Sequence, residues 1–217
     1  MNRELNYLVI EGNIGAGKTS LVNLLTEDLN SKAIYEQFED NPFLPKFYHN
    51  PERYSFSLEL SFLADRYKQH KEELANRDIF SPLSIADYYF SKSLIFAGIT
   101  LENDEYKLYR QLYTIIHQNL PRPDLYVYLH SPVEKLLENI KNRGRDYEKN
   151  ISGEYLKNLQ EGYFEYMRTS QNMRFLIIDI KDLDFVNIKK DYILLKNLIF
   201  DQNYKTGVTR IPYVKDN

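Results

Sequence analysis

Cysteine and tryptophan are both missing from the 217 residues of this sequence. Without thiols, a disulfide framework, a zinc–thiolate site and a cysteine nucleophile are excluded. An excess of positive charge is missing too: 28 Lys and Arg stand against 31 Asp and Glu, for a formal charge of −3. A nucleic-acid polymer is therefore not an expected partner, because neutralising its phosphates needs a basic surface. No apolar run approaches the ~18–20 residues of a membrane span, so no membrane association is expected. Residues 1–5 lead directly into an apolar strand without a signal-peptide pattern, and the expectation is a cytoplasmic enzyme. The four histidines, His49, His70, His117 and His130, lack metal-ligand spacing.

Glycine is also scarce, at 8 residues, yet Gly12, Gly15 and Gly17 fall together. They belong to the stretch Val9-Ile10-Glu11-Gly12-Asn13-Ile14-Gly15-Ala16-Gly17-Lys18-Thr19-Ser20, an apolar run ending in G-x-x-x-x-G-K-[ST]. That spacing makes a phosphate-binding loop whose backbone N–H groups, from Gly12 to Ser20, face phosphate oxygens. Lys18 can reach the β- and γ-phosphates, and the Thr19 hydroxyl can ligate Mg²⁺. The following helix adds the positive end of its dipole. ATP with Mg²⁺ is the expected ligand.

Apolar periodicity predicts strands at Tyr7–Glu11, Lys32–Tyr35, Asp78–Pro82, Asp124–His130 and Phe175–Asp179. Between them it predicts helices over Lys18–Leu29, Tyr54–Leu74, 87–97, 104–119, Pro132–Asn142, Ser152–Arg168 and Phe185–Phe200, with Ser131 as an N-cap. Strands separated by long helical stretches indicate an α/β fold with a five-stranded parallel sheet. The expected organisation is one domain over 1–200, followed by an aperiodic tail over 201–217.

Beyond the glycine-rich loop, several groups of residues can carry chemistry. Glu36 follows the second strand and would sit at the carboxyl edge of the sheet, where it could take a hydroxyl proton or merely cap a helix. Glu59 and Arg66 lie seven residues apart on one largely apolar helix face, as a buried ion pair or as readers of a base edge. Arg143 and Arg145 flank Gly144 after a helix, either as a lid that clamps phosphate or as an ordinary helix end.

Together these motifs resemble the deoxyribonucleoside kinase family over nearly the whole length. They come in the family's order: Gly12–Ser20, Glu36, the segment Phe47-Tyr48-His49-Asn50-Pro51-Glu52-Arg53-Tyr54-Ser55-Phe56, Arg143-Gly144-Arg145, and Glu148. The stretch Glu39-Asp40-Asn41-Pro42-Phe43-Leu44 looks most like bacterial deoxyadenosine/deoxyguanosine kinases. The resemblance implies a P-loop kinase fold with a helical lid and a homodimer or higher homo-oligomer. It implies that Glu36 is the base at the sugar 5′-hydroxyl, with Lys18, Arg143 and Arg145 on the phosphates. Tyr48 and Glu148 would hold the 3′-hydroxyl. Glu59 and Arg66 would face the base, stacked on Phe96 between walls of Leu44, Phe47 and Leu58. Asp184 and Phe185, in a segment like the family's donor-adenine loop, would lie at the donor.

The family's acidic-Arg-Ser motif is altered. The stretch reads Ser84-Ile85-Ala86-Asp87-Tyr88-Tyr89, so its arginine is missing under either alignment. Asp87 is then a ligand for Mg²⁺ or water, or a pocket acid paired with Arg66. Glu59 stands where many relatives carry glutamine. An ionised carboxylate only accepts hydrogen bonds, which suits N1–H and N2–H of guanine and leaves O6 for Arg66 or Lys92. Adenine can still donate N6. The expected reaction is phosphorylation of a small purine deoxyribonucleoside in nucleotide salvage. The competing readings are a nucleoside monophosphate kinase and a non-catalytic nucleotide switch, and the second lacks DxxG and NKxD segments.

Overall fold

The computed structural model describes residues 5–37, 40–75, 83–118, 120–170 and 172–212. Its centre is β1 (Tyr7–Gly12), a run of six buried residues. Such uninterrupted burial is what a parallel strand covered on both faces requires. The sheet is wholly parallel in the order β2-β3-β1-β4-β5-β6. Its other strands are β2 (Lys32–Ile34), β3 (Ser84–Ala86), β4 (Leu125–His130), β5 (Arg174–Asp179) and β6 (Gly207–Ile211).

Alternation along these strands sorts the two faces. Leu8, Ile10, Val127, Leu129, Leu176 and Ile178 join an aliphatic core with Leu21, Val22 and Leu25 of α1 (Lys18–Leu29). Tyr7, Val9, Tyr126, Tyr128, Phe175 and Ile177 form an aromatic layer instead. That layer packs against α4 (Ser91–Thr100) and α7 (Gly153–Thr169), through Ile95, Tyr163 and Met167. Much of the chain's 19 tyrosines' apolar area is thus spent in the core.

The remaining helices are α2 (Leu44–His49), α3 (Pro51–Ala75), α5 (Asn103–His117), α6 (Val133–Arg143) and α8 (Lys189–Phe200). A short 3₁₀ turn spans Asp146–Glu148. Local signals account for several ends. Ser152 accepts a hydrogen bond from the N–H of Tyr155 at the start of α7, and Glu102 and Glu105 form a capping box on α5. Among the described residues, no helix is long and apolar enough to cross a membrane.

Two expectations need correction, and a third lies outside the described residues. The sheet has six strands, because Gly207–Ile211, expected in an aperiodic tail, pairs in parallel with β5. It is an edge strand with alternate exposure, so it carries no continuous apolar run. The strand expected at Asp78–Pro82 falls outside the described residues, and the strand beside β1 is Ser84–Ala86. Pro132, in an extended conformation, rather than Ser131, is the N-cap of α6.

The chain runs from β1 to the β2 edge, returns to β3 beside β1, and then crosses to β4 on the other flank. A crevice at the carboxyl ends of the strands is the outcome of that reversal.

Candidate active site

Three strand ends meet in this crevice. β1 runs into the glycine-rich loop, β2 is followed by Glu36, and β3 by Asp87. In-register pairing of Ile34 with Ala86 places the last two side by side. The N–H of Glu36 donates to Asp87 Oδ1 at 2.8 Å, and the Thr19 hydroxyl donates to Asp87 Oδ2 at 2.6 Å. Asp87 therefore bridges the phosphate loop and Glu36, and its alternative reading as a partner of Arg66 is overturned.

Backbone geometry explains the glycines. Gly15 has φ +83°, and a Cβ there would lie 2.8 Å from the Leu136 carbonyl oxygen. Gly17 has φ +80°, with Phe185 Cζ 2.9 Å from any Cβ. Only glycine suits that conformation and closeness. Asn13 works inward: its Nδ2 donates to the Leu156 carbonyl at 2.7 Å, and its Oδ1 accepts the Ile14 N–H. Ala16 is buried in the aliphatic core, and Ser20 lies in the first turn of α1. Lys18 donates to the Asn13 carbonyl at 3.0 Å. Burial and then the charge of Lys92 push its ammonium down to about 8.

Beside the loop lies a cavity of about 920 Å³, lined by Lys18, Thr19, Arg143, Arg145 and every acceptor-side residue expected from the sequence. Phe47, Leu58 and Phe62 are buried and form one cluster with Leu44 and Tyr48. Phe96 faces the same space from α4. Glu36 is the charged centre. Arg66 Nε and Nη2 donate to its Oε1 at 2.9 and 2.6 Å, and the Lys92 ammonium pairs with Oε2. Burial alone would raise the carboxyl, but Lys92 and Arg66 outweigh it and hold it at about 2.

Arg66 thus pairs with Glu36, not with Glu59, so the helix-face ion pair is overturned. Ser93 accepts its third bond at 2.8 Å, and the guanidinium lies 4.7 Å from the centroid of Phe62. Glu59 is 1% exposed, and its Oε1 accepts the Thr100 hydroxyl at 3.0 Å, while Oε2 has no partner among the described residues. Burial raises this carboxyl to about 7, against the opposing effects of Arg66 and Thr100.

Across the cavity, Arg143 Nη2 meets Glu148 Oε2 at 2.5 Å and Arg145 Nη1 meets Oε1 at 3.5 Å. Gly144 between them is the left-handed cap of α6, so the segment is also an ordinary helix end. Tyr48 stacks on Tyr147 with centroids 5.9 Å apart. Burial first, then Glu148, raises the Tyr48 hydroxyl. Asp184 and Phe185 do not line the cavity. Phe185 is buried beneath Gly17, and Asp184 accepts bonds from Asn187, so this loop abuts the phosphate loop from outside.

Sequence reasoning missed Phe62, Tyr147 and Tyr155 as wall residues, and Ser93 and Thr100 as polar supports. Lys92, considered only for a purine O6, lies against Glu36 instead. Its signal was a single charge in an otherwise uncharged helix.

The deoxynucleoside kinase family model matches residues 8–202. A deoxyguanosine kinase of Bacillus subtilis is 36% identical over 190 residues, covering 86% of this chain and 92% of that protein. A deoxyadenosine/deoxycytidine kinase of the same organism is 31% identical over 191 residues, covering 84% and 86%. The structure of a deoxyadenosine kinase from M. mycoides, with dCMP and dCDP bound, matches 90% of this chain and all of that one, with a TM-score of 0.78. At 24% identity that likeness speaks for the fold. The family match begins in β1, includes every residue of the crevice and ends beyond α8: the chain belongs to the deoxynucleoside kinase family and is a phosphotransferase.

Proposed function

We propose that the protein transfers the γ-phosphoryl group of ATP to the 5′-hydroxyl of a purine 2′-deoxyribonucleoside, as a salvage enzyme. The observation that carries this reading is Glu59, whose buried Oε2, without a partner among the described residues, lies on the cavity of Glu36 and the phosphate loop. A buried polar atom without a partner favours a ligand that supplies one. As an anion, Glu59 accepts N1–H and N2–H of guanine. As a neutral acid it both donates and accepts, which suits N1 and N6 of adenine. Phe96 stacks the base between Leu44, Phe47 and Leu58, and Tyr48 and Glu148 hold the 3′-hydroxyl.

Glu36 takes the 5′-hydroxyl proton as the oxygen attacks phosphorus. Lys18 and the loop N–H groups hold the donor, and Arg143 and Arg145 exchange Glu148 for its phosphates. Thr19 and Asp87 offer a hydroxyl and a carboxylate, hard oxygen donors that fit Mg²⁺. Held by Thr19 and Asp87, the ion would supply charge neutralisation to the donor phosphates. Asp184 and Phe185 shape the donor side from behind the loop. Assembly as a homodimer is supported by α5, where Leu108 and Ile115 are 49% and 67% exposed two turns apart on one face.

The test is ADP release with ATP, Mg²⁺ and each deoxyribonucleoside supplied separately. Deoxyadenosine or deoxyguanosine is expected to give a 5′-monophosphate faster than either pyrimidine. Turnover indifferent to the acceptor would overturn the proposal.

A further inference from the structure

Lys92 stands where a lysine is disfavoured. It occupies the first turn of α4, at the positive end of the helix dipole, and its side chain is 9% exposed. A buried ammonium persists only when it is paired. Its partner is Glu36 Oε2, and the ammonium also lies 5.4 Å from the centroid of the Phe96 ring. Arg66 already supplies two N–H bonds to the other oxygen of Glu36. Two cations on one carboxylate exceed what its charge requires.

The surroundings show which side of the cavity Lys92 serves. After burial, Lys92 is the strongest influence on Lys18, Glu36 and Glu11. On Glu59 it is weaker than Arg66, Thr100 and Glu36. Geometry agrees: the ammonium sits on Glu36, whose N–H is held by the same Asp87 that receives the Thr19 hydroxyl, so Lys92 is tied to the glycine-rich loop through two side chains.

We propose that Lys92 is a catalytic residue that meets the phosphoryl group in transit between donor and acceptor. This rests on the phosphotransfer reading above. As the 5′-oxygen–phosphorus bond forms, the bond from phosphorus to the β-bridging oxygen breaks and its electron pair leaves with ADP. The hydroxyl proton passes to Glu36. Lys92 moves from Glu36 Oε2 to an oxygen of the transferring group, which frees Oε2 to receive that proton. Lys18 holds the donor side, so the two lysines bracket the group.

The test compares wild type with K92Q, after thermal melting confirms folding. Calorimetric titration with the β,γ-imido analogue of ATP and, separately, with ADP reads the contact to the terminal phosphate. K92Q is expected to bind the analogue about tenfold to a hundredfold more weakly, with ADP affinity nearly unchanged. With a deoxyribonucleoside acceptor, kcat falls on the order of a hundredfold while acceptor KM stays within about threefold. Equal weakening of analogue and ADP would overturn the proposal, as would a changed acceptor ranking with kcat intact. Should K92Q not fold, K92R, which keeps the charge, is expected to retain the preference for analogue over ADP; a folded K92R without it overturns the proposal. A wild type that releases ADP with no acceptor-dependence refutes the phosphotransfer reading separately, and the titrations still decide the role of Lys92.

Discussion

The Thr19 hydroxyl donates to Asp87 Oδ2 across 2.6 Å and so ties the first turn of α1 to the end of β3. The other oxygen of Asp87 receives the N–H of Glu36. One side chain thereby sets the spacing between the glycine-rich loop and Glu36. It also places a carboxylate oxygen beside the hydroxyl that suits Mg²⁺.

Asp87→Asn keeps the shape but removes the charge and one acceptor. The expected result is a fall in kcat of about a hundredfold and a rise of about tenfold in the Mg²⁺ needed for half-maximal rate. Initial rates across an Mg²⁺ titration measure both. An unchanged Mg²⁺ requirement would reduce Asp87 to a structural bridge.

Glu36→Gln is expected to lower kcat by about 10²–10⁴-fold with ATP affinity nearly unchanged. Near-normal turnover would mean that another group takes the proton. The wild-type carboxyl, held at about 2, also contributes stability with a definite sign. Its folded value lies below its ordinary 4.5, so that stability is present above 4.5 and is lost as pH falls toward 2. Urea denaturation at pH 5 and pH 3 reads the loss, which should shrink in the Gln variant.

The parts legible in the sequence are those that local pattern decides. β1, β4 and β5 are apolar runs buried on both faces, and the phosphate loop is a contiguous motif. β6 was hidden because Gly-Val-Thr-Arg-Ile forms a strand only by pairing with β5, a choice made by distant residues. The site divides in the same way. That Glu36, Tyr48, Glu59, Arg66 and Glu148 share one cavity was readable, but their pairings were not. Arg66 sits two turns from Glu59 on its own helix and still bonds Glu36, 30 residues earlier, because the register of β2 beside β3 brings that carboxylate into its reach.

Gly17→Ala tests the contact between the phosphate loop and the loop preceding α8. The added Cβ would meet Phe185 Cζ at 2.9 Å with φ at +80°. The left-handed conformation alone costs roughly 1–2 kcal/mol, and Phe185 must also shift. A stability loss of about 1–3 kcal/mol in urea is expected, with weaker ATP binding. Adding Phe185→Leu should recover part of the binding, because it removes the ring but leaves the strained φ. No recovery would show that the backbone conformation carries the whole effect.

The role proposed for Glu59 at the base predicts that base choice depends on pH. Burial raises its carboxyl from 4.5 to about 7, so the buried group is largely neutral at pH 6 and largely ionised at pH 8. The anion accepts both donors of guanine, whereas the neutral acid matches the donor and acceptor of adenine. The ratio of kcat/KM for deoxyguanosine over deoxyadenosine is therefore expected to rise with pH, by up to about tenfold between pH 6 and 8. Glu59→Gln, which has no titrating proton, should give a flat ratio displaced toward deoxyadenosine. The same raised value sets a stability trend opposite to that of Glu36. Stability is full below 4.5 and is lost as pH rises through about 7, since the unfolded chain releases this proton first. Glu59→Gln should accordingly melt at a higher temperature than wild type at pH 8, and that advantage should narrow toward pH 5. A wild-type ratio that stays constant across this range would remove Glu59 from base recognition even if the melting trend appeared, because the second effect needs only burial and the first needs contact with the base.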